Sequence, residues 1–401
     1  MQITRKFFRT HKLLISESKS KVMSYNATSG KTTFEGFNID PLILEEVLFF
    51  KYLGIKINCT PHNLFKSFND DVKRKARSYL SSVFSLTRAG PNRSALAHSL
   101  WTLCAIPAIC YGAEIIPLTK DTIRELEKCN TMVGKFILQI PRSSADVSCY
   151  IDAGIRPNSS IIAEKVLLYA HSTMTKPTGY WSKLAMTEHL LLGPLSSYTR
   201  YLQKWKTDTN CLHFTPKHIK IAVKSNSITN ILDQQRTTST TTFAMLDAGP
   251  TCSKHPWFKP KAWVSDSGFS RIISSFRVCN TGIGNRGPAK NGRFYKLCPL
   301  CSSAGTVALN NEVKIDILLS FTTHIHFQVH LLIECAQMKN YRESCCLGPF
   351  ISAHRLAKPG ISSIKLFALF LSDRDPALLQ KRALDLYTMK LGWHNLMDID
   401  I

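Results

Sequence analysis

Four residues carry the strongest chemistry in this chain: Cys298 and Cys301 in KLCPLCSSAG, and His330 and Cys335 in HLLIEC. Three thiolates and one imidazole would complete a tetrahedral zinc site with no open position, which makes it structural rather than catalytic. A closed site of that kind cross-links a segment too short to bury its own core. The spacing leaves a second reading open. Twenty-eight residues separate Cys301 from His330, and His324 and His326 lie between them as competing ligands. A chain with 13 cysteines and 13 histidines can also place four such residues without a shared metal.

The elements that must position these residues follow from periodicity. Short strand-forming runs, HKLLIS and SKVMSYN, precede VLFFKYLGIKIN, an alternating aromatic stretch with glycine where a hairpin tightens. From about residue 66 the period lengthens. Phe68, Val72, Ala76, Tyr79 and Val83 predict an amphipathic helix ending at Ala89-Gly90-Pro91. A more apolar helix is predicted over 94–106, up to Pro107. The next starts behind Thr119, with Ile123, Leu126, Val133 and Phe136 or Ile137 on one face, and ends before Pro141. A further helix is predicted over 159–175. Residues 201–267 are rich in Thr, Ser, Asn and Lys, and read as a basic, partly disordered linker. Residues 268–401 return to helical periodicity around the cysteine pair. The expected class is α-dominated α+β, divided at 1–60, 61–200, 201–267 and 268–401.

Charge narrows the partners. Fifty-one Lys and Arg against 28 Asp and Glu give a net charge of +23 in 401 residues. Residues 201–300 carry 15 basic and 4 acidic side chains. A field of that sign favours polyanions through release of their counterions. No apolar run is long enough to cross a bilayer, and MQITRKFFRTHK lacks the apolar core of a signal peptide. Scattered cysteines without a secretory signal suit a reducing compartment. The expectation is an intracellular chain, nuclear and cytoplasmic, with neither a membrane nor a small-molecule substrate as partner.

Three stretches, in order, resemble the C-terminal portion of reverse transcriptases from non-LTR (LINE-type) retrotransposons. LLISESKSKVMSYN followed by FKYLGIKI is similar to the end of the palm; PAICYGAEII is similar to the Pro-x-x-x-Tyr-Gly segment of the thumb and connection; and SSFRVCNTGIGNRG with CPLC, HLLIEC and YRE is similar to the C-terminal Cys-Cys-His-Cys knuckle. The resemblance covers roughly 11–175 and 268–345. It implies short palm-derived hairpins, then a helical thumb and connection, then a small helical zinc-knuckle region. Lys19 would match the motif lysine, an auxiliary general acid in an intact parent; Ser16 stands where the family has Asn. Phe50, Lys51, Tyr52, Leu53 and Gly54 would form the primer grip, which holds the primer 3′ end. Cys298, Cys301, His330 and Cys335 would bind a structural zinc. Without Lys314–Val329, twelve residues would separate Cys301 from His330, closer to the family spacing, so this segment reads as an insertion.

The family's partners are RNA and DNA, as template–primer and element RNA, and magnesium is expected only for the intact polymerase. The aromatic-x-Asp-Asp hairpin that holds catalytic metals precedes the lysine motif in the family, and the expectation is that this chain starts after it. Phe68-Asn69-Asp70-Asp71 fits that pattern literally. It follows the primer grip, however, and opens a predicted helix, where acids serve the helix dipole and the free amides. The expected function is therefore nucleic-acid binding by a polymerase fragment with no catalytic residue of its own. A stand-alone zinc-dependent RNA-binding protein and a decayed remnant are the alternatives.

Candidate nucleic-acid contacts are Lys73, Arg74, Lys75 and Arg77 on the first helix, Lys259 and Lys261 in KHPWFKPKAW, and Arg277 and Arg286 leading into the knuckle. Cations along one stretch contact phosphates without reading sequence, and Trp257, Phe258 and Trp263 could stack on unpaired bases. The alternatives are a solvated helix face and a small satellite core.

Overall fold

The computed structural model describes residues 10–11, 16, 20–23, 38–39, 42–43, 45–60, 64–88, 93–144, 146–211, 215–236, 276, 329–371 and 375–396. Among them helices predominate and strands are few and short, an α-dominated α+β arrangement. β1 (Lys21–Val22) pairs in parallel with β4 (Glu45–Glu46). β2 (Asn38–Ile39) and β3 (Leu42–Ile43) form one antiparallel pair. β5 (Phe49–Tyr52) and β6 (Ile55–Asn58) form the hairpin expected from the aromatic-Leu-Gly sequence, in register Tyr52↔Ile55.

A helical array follows. α1 (Lys66–Thr87) buries Phe68, Val72, Ala76, Leu80 and Val83. Leu80, not Tyr79, completes the stripe, and Tyr79 is half-buried beside it. α2 (Arg93–Ser99) runs into a π-helical segment (Leu100–Ala105) and then α3 (Ile106–Ile109). The expected stop at Pro107 does not occur. Proline lacks an N–H and its ring crowds the carbonyl four residues back, and a widened turn accommodates both while the helix continues. α4 (Lys120–Leu138) starts where Thr119 accepts the Thr122 amide at 3.1 Å, and ends with Gln139 in the left-handed region.

α4 packs against α1, α2, α5 (Val147–Ile151) and α6 (Asn158–Met174). Its polar side chains fix these neighbours. Asn130, fully buried, accepts from Trp101 Nε1 at 2.8 Å and donates to the Arg156 carbonyl at 2.9 Å. Glu127 accepts from both the amide and the hydroxyl of Ser159 at 2.8 Å, which caps α6 from outside because Pro157 supplies no side-chain acceptor.

α7 (Trp181–Leu191), α8 (Ser197–Asp208) and α9 (Pro216–Arg236) follow. The stretch read as a linker from residue 201 is therefore helical over 201–208 and 216–236. Tyr198, Tyr201, Leu202 and Trp205 recur at three and four and are buried, with α8 against α6. Tyr201 also donates to the Ala113 carbonyl at 3.1 Å. Residues 212–214 and 237–267 lie outside the described residues.

The C-terminal region opens on a π turn (His330–Glu334) and a 3-10 turn (Ala336–Met338). These lead to α10 (Lys339–Glu343), α11 (Leu347–Ala357), α12 (Ser363–Leu371) and α13 (Pro376–Leu396). Arg382 is buried with its guanidinium 5.1 Å from the Phe350 ring centre and 4.8 Å from that of Phe370, and it donates to the Phe370 carbonyl. No helix among the described residues is long and apolar enough to cross a membrane.

Gly134 sets the closeness of α4 and α5. A Cβ there would overlap the Cys149 Cβ and lie 2.8 Å from its Sγ and 3.2 Å from its Cα. Gly134→Ala is expected to destabilise the fold by about 1–3 kcal/mol through overpacking. Gly179→Ala, where nothing lies within 4 Å, should stay close to wild type in the same urea titration. Cys149→Ala should not rescue Gly134→Ala, because its own Cβ is the obstacle.

Candidate nucleic-acid interface

The predicted grip residues sit at one hairpin tip. Leu53 and Gly54 form the two-residue loop, with φ of 48° and 84°. Two positive φ values define a type I′ turn, whose twist matches the flanking strands. Glycine takes this region freely, while leucine pays about 1–2 kcal/mol for it. Phe50 is half-buried. Lys51, Tyr52 and Leu53 are exposed, Leu53 by 70%.

The tip is docked, and the residue that docks it comes from the Pro-x-x-x-Tyr-Gly stretch. Tyr111 Oη donates to the Leu53 carbonyl at 3.1 Å across 58 residues of chain. Gly112 has φ +82°, and a Cβ there would lie 3.3 Å from the Phe68 ring and 3.4 Å from Ile55. Two motifs found separately in the sequence thus touch, and Tyr111, the motif tyrosine to which the sequence reading gave no site role, is the joint. Leu48, Phe49, Tyr52, Leu53 and Tyr111 all stand exposed around the hairpin, with Phe49 and Tyr52 on opposite faces of β5. Lys56 anchors the hairpin base, 3.2 Å from Asp71.

Three cations of α1 are engaged. Lys73 Nζ lies 3.0 Å from Asp70 and 3.2 Å from Asp121; Arg74 is 2.9 Å from Asp71; Arg77 Nε is 2.8 Å from Glu125. Lys75 is half-buried and makes no ion pair among the described residues. Hydrogen bonding to Asp70 and Asp121 raises the Lys73 pKa, and hydrogen bonding to Glu125 raises that of Arg77. Burial pushes the Asp71 carboxyl up, but hydrogen bonds and charge from Lys56 and Arg74 outweigh it and hold it below its usual value.

Asp70 and Asp71 therefore have a role other than the one expected. α1 starts at Lys66 with no acid in its first turn, so they are not caps but ion-pair partners one turn further on. Asn69 beside them is buried. It accepts from the Thr119 amide at 3.0 Å and donates to the carbonyls of Phe65 at 3.0 Å and Pro117 at 3.4 Å.

Of the predicted zinc ligands, His330 and Cys335 are described and Cys298 and Cys301 are not. Both described donors are buried, at the two ends of the π turn, where the Cys335 amide bonds the His330 carbonyl at 2.7 Å. His330 Nδ1 lies 3.6 Å from Glu334, the kind of carboxylate partner that orients a ligand imidazole. Hydrogen bonding to His330 lowers the Glu334 pKa. An imidazole and a thiol thus bracket one turn. Among the described residues, no three His, Cys, Asp or Glu are grouped to hold a metal ion. Val329, the last residue of the expected insertion, is packed in the core. Lys19, Lys259, Lys261, Arg277 and Arg286 lie outside the described residues.

Glu125→Gln removes the charge that Arg77 answers. If Arg77 faces a duplex, the slope of log K against log salt should steepen by about 0.9, one added phosphate contact. Stability should fall by less than about 1 kcal/mol, because the pair is exposed. An unchanged slope in a fluorescence titration would make this ion pair purely structural. No family model, no curated protein and no solved structure matches the chain.

Proposed function

We propose that this chain binds nucleic acid as a segment similar to the C-terminal portion of a non-LTR reverse transcriptase, with the β5–β6 hairpin supporting a primer 3′ end. One observation carries the reading: the FKYLG tip is fastened to the YG motif by the Tyr111–Leu53 bond and the close approach at Gly112. That fixes a tip with exposed apolar side chains beside a helix rich in cations, in a chain of net charge +23. Rings and leucine would pack against the terminal sugar and base, while charge would hold the phosphates. His330 and Cys335, with Cys298 and Cys301, would hold a structural zinc that stiffens the C-terminal region.

A fluorescence anisotropy titration of the full chain tests the hairpin. A 3′-recessed primer–template should bind tighter than a blunt duplex of the same length, with affinity falling steeply as salt rises. Leu53→Asn suits the type I′ turn better and should stabilise the chain by about 0.5–1 kcal/mol. It should also lower the preference for the recessed end, because the tip loses its apolar side chain. Equal binding of both probes, or a preference untouched by Leu53→Asn, would overturn the assignment.

Zinc is tested separately by elemental analysis. The purified chain should hold stoichiometric zinc, and a chelator should lower its melting temperature. Cys335→Ser should lose the metal and match the chelated wild type. A metal-free wild type with an identical melt would remove the zinc site.

A further inference from the structure

One basic groove among the described residues is not a surface that the sequence reading chose. The last turns of α1 and α4 lie together, with the rings of Phe84 and Phe136 stacked at 4.4 Å between centres. Above them opens a groove of about 680 Å³, lined by Ser81, Ser85, Arg88, Arg93, Lys135 and Arg142, among others. None of the described lining residues is acidic.

Helix dipoles explain part of this charge. Arg88 is the C-cap of α1 and Lys135 sits in the last turn of α4, where a cation is favoured. They do not explain the rest. Arg93, the first described residue of α2, is held by the Phe136 ring, 4.0 Å from its guanidinium carbon. Arg142 lies beyond the end of α4. Lys135 is answered by Asp146 and donates to the Arg142 carbonyl at 2.7 Å. That bond fastens the turn that presents Arg142 to the groove.

The contrast with the middle of α1 decides the matter. Lys73, Arg74 and Arg77 each meet a carboxylate, and Lys75, which does not, is half-buried. Arg88 and Arg142 are exposed and make no ion pair among the described residues. Cations left open over an aromatic floor, with hydroxyls between them, combine phosphate contact with a surface for bases. That is the pairing an unpaired strand requires, whereas a duplex keeps its bases inside.

We infer that the Arg88–Arg93–Arg142 groove is a binding site for single-stranded nucleic acid, separate from the hairpin. The inference rests on the nucleic-acid-binding reading above but not on the primer-grip role of the hairpin. Arg88 and Arg142 take phosphates at the rim, and Phe84, Phe136 and Arg93 form the floor along which bases pass.

The test is anisotropy of the full chain with a labelled oligodeoxythymidine and with a blunt duplex, comparing wild type, Arg88→Gln/Arg142→Gln and Lys358→Gln/Lys365→Gln. The control pair removes the same charge from two exposed lysines elsewhere. The groove variant should bind the single strand roughly tenfold more weakly at low salt, and its salt slope should flatten by about 1.4, two single-strand phosphate contacts. Its duplex affinity and thermal melt should stay near wild type, and the control pair should change single-strand binding less than about twofold. Equal losses on both probes, an equal loss in the control pair, or no loss would each overturn the groove. Groove-dependent single-strand binding without any preference for a recessed primer would retain this inference and remove the primer-grip reading. Failure of wild type to bind either probe would remove both.

Discussion

The helical region depends on a buried hydrogen-bond relay through α4. The Asn130 carboxamide has the Trp101 indole on one side and the Arg156 carbonyl on the other, in a site from which water is excluded. A polar group at that depth is tolerated only when its partners are in place, and a partner lost leaves a desolvated donor or acceptor costing about 1–3 kcal/mol. The relay therefore does more than add stability. It admits one rotation of α4, the rotation that puts Glu127 under the start of α6 and aligns Asp121 and Glu125 with the cations of α1. Apolar packing alone would accept several rotations, since Leu126, Val133 and Ile137 present a broad stripe.

What the sequence showed followed from how local the cause was. Thr119 was legible as a cap, and the Leu-Gly pair as a hairpin tip, because both effects act within four residues. α1 and α4 were legible because their apolar periods run for several turns. The π segment before Pro107 was not, because only the packing of Trp101 and Ala105 makes a widened turn preferable to a break. The helices after residue 200 were hidden by composition. A wide window weighs Thr, Lys and Asn, whereas the four buried positions of α8 decide its fate.

The candidate site shows the same division. The cations on α1 were visible, but two of their partners were not: Asp121 and Glu125 lie 48 residues from Lys73 and Arg77. Charge density along the chain therefore overstated the free charge of that helix and missed the groove, where Arg88, Arg93 and Arg142 come from three separate turns. Likewise the two ends of the His330–Cys335 turn were legible as possible ligands, while the carboxylate beside His330 acquires meaning only from the π geometry that turns it back. A basic helix is not necessarily a positive surface; what remains after pairing is what a phosphate meets.

Asn69 has a consequence for motion. Its single carboxamide is tied to the first turn of α1 through Phe65 and to the approach and cap of α4 through Pro117 and Thr119. Neither helix can unwind its first turn without releasing the group that organises the other. Local opening in this region should therefore be cooperative, with the amides at the starts of both helices exchanging with solvent deuterium through one shared fluctuation rather than by independent fraying. The hairpin tip hangs from the same neighbourhood through Phe68 and Gly112. The three elements make up one dynamic unit, although two of them begin more than fifty residues apart.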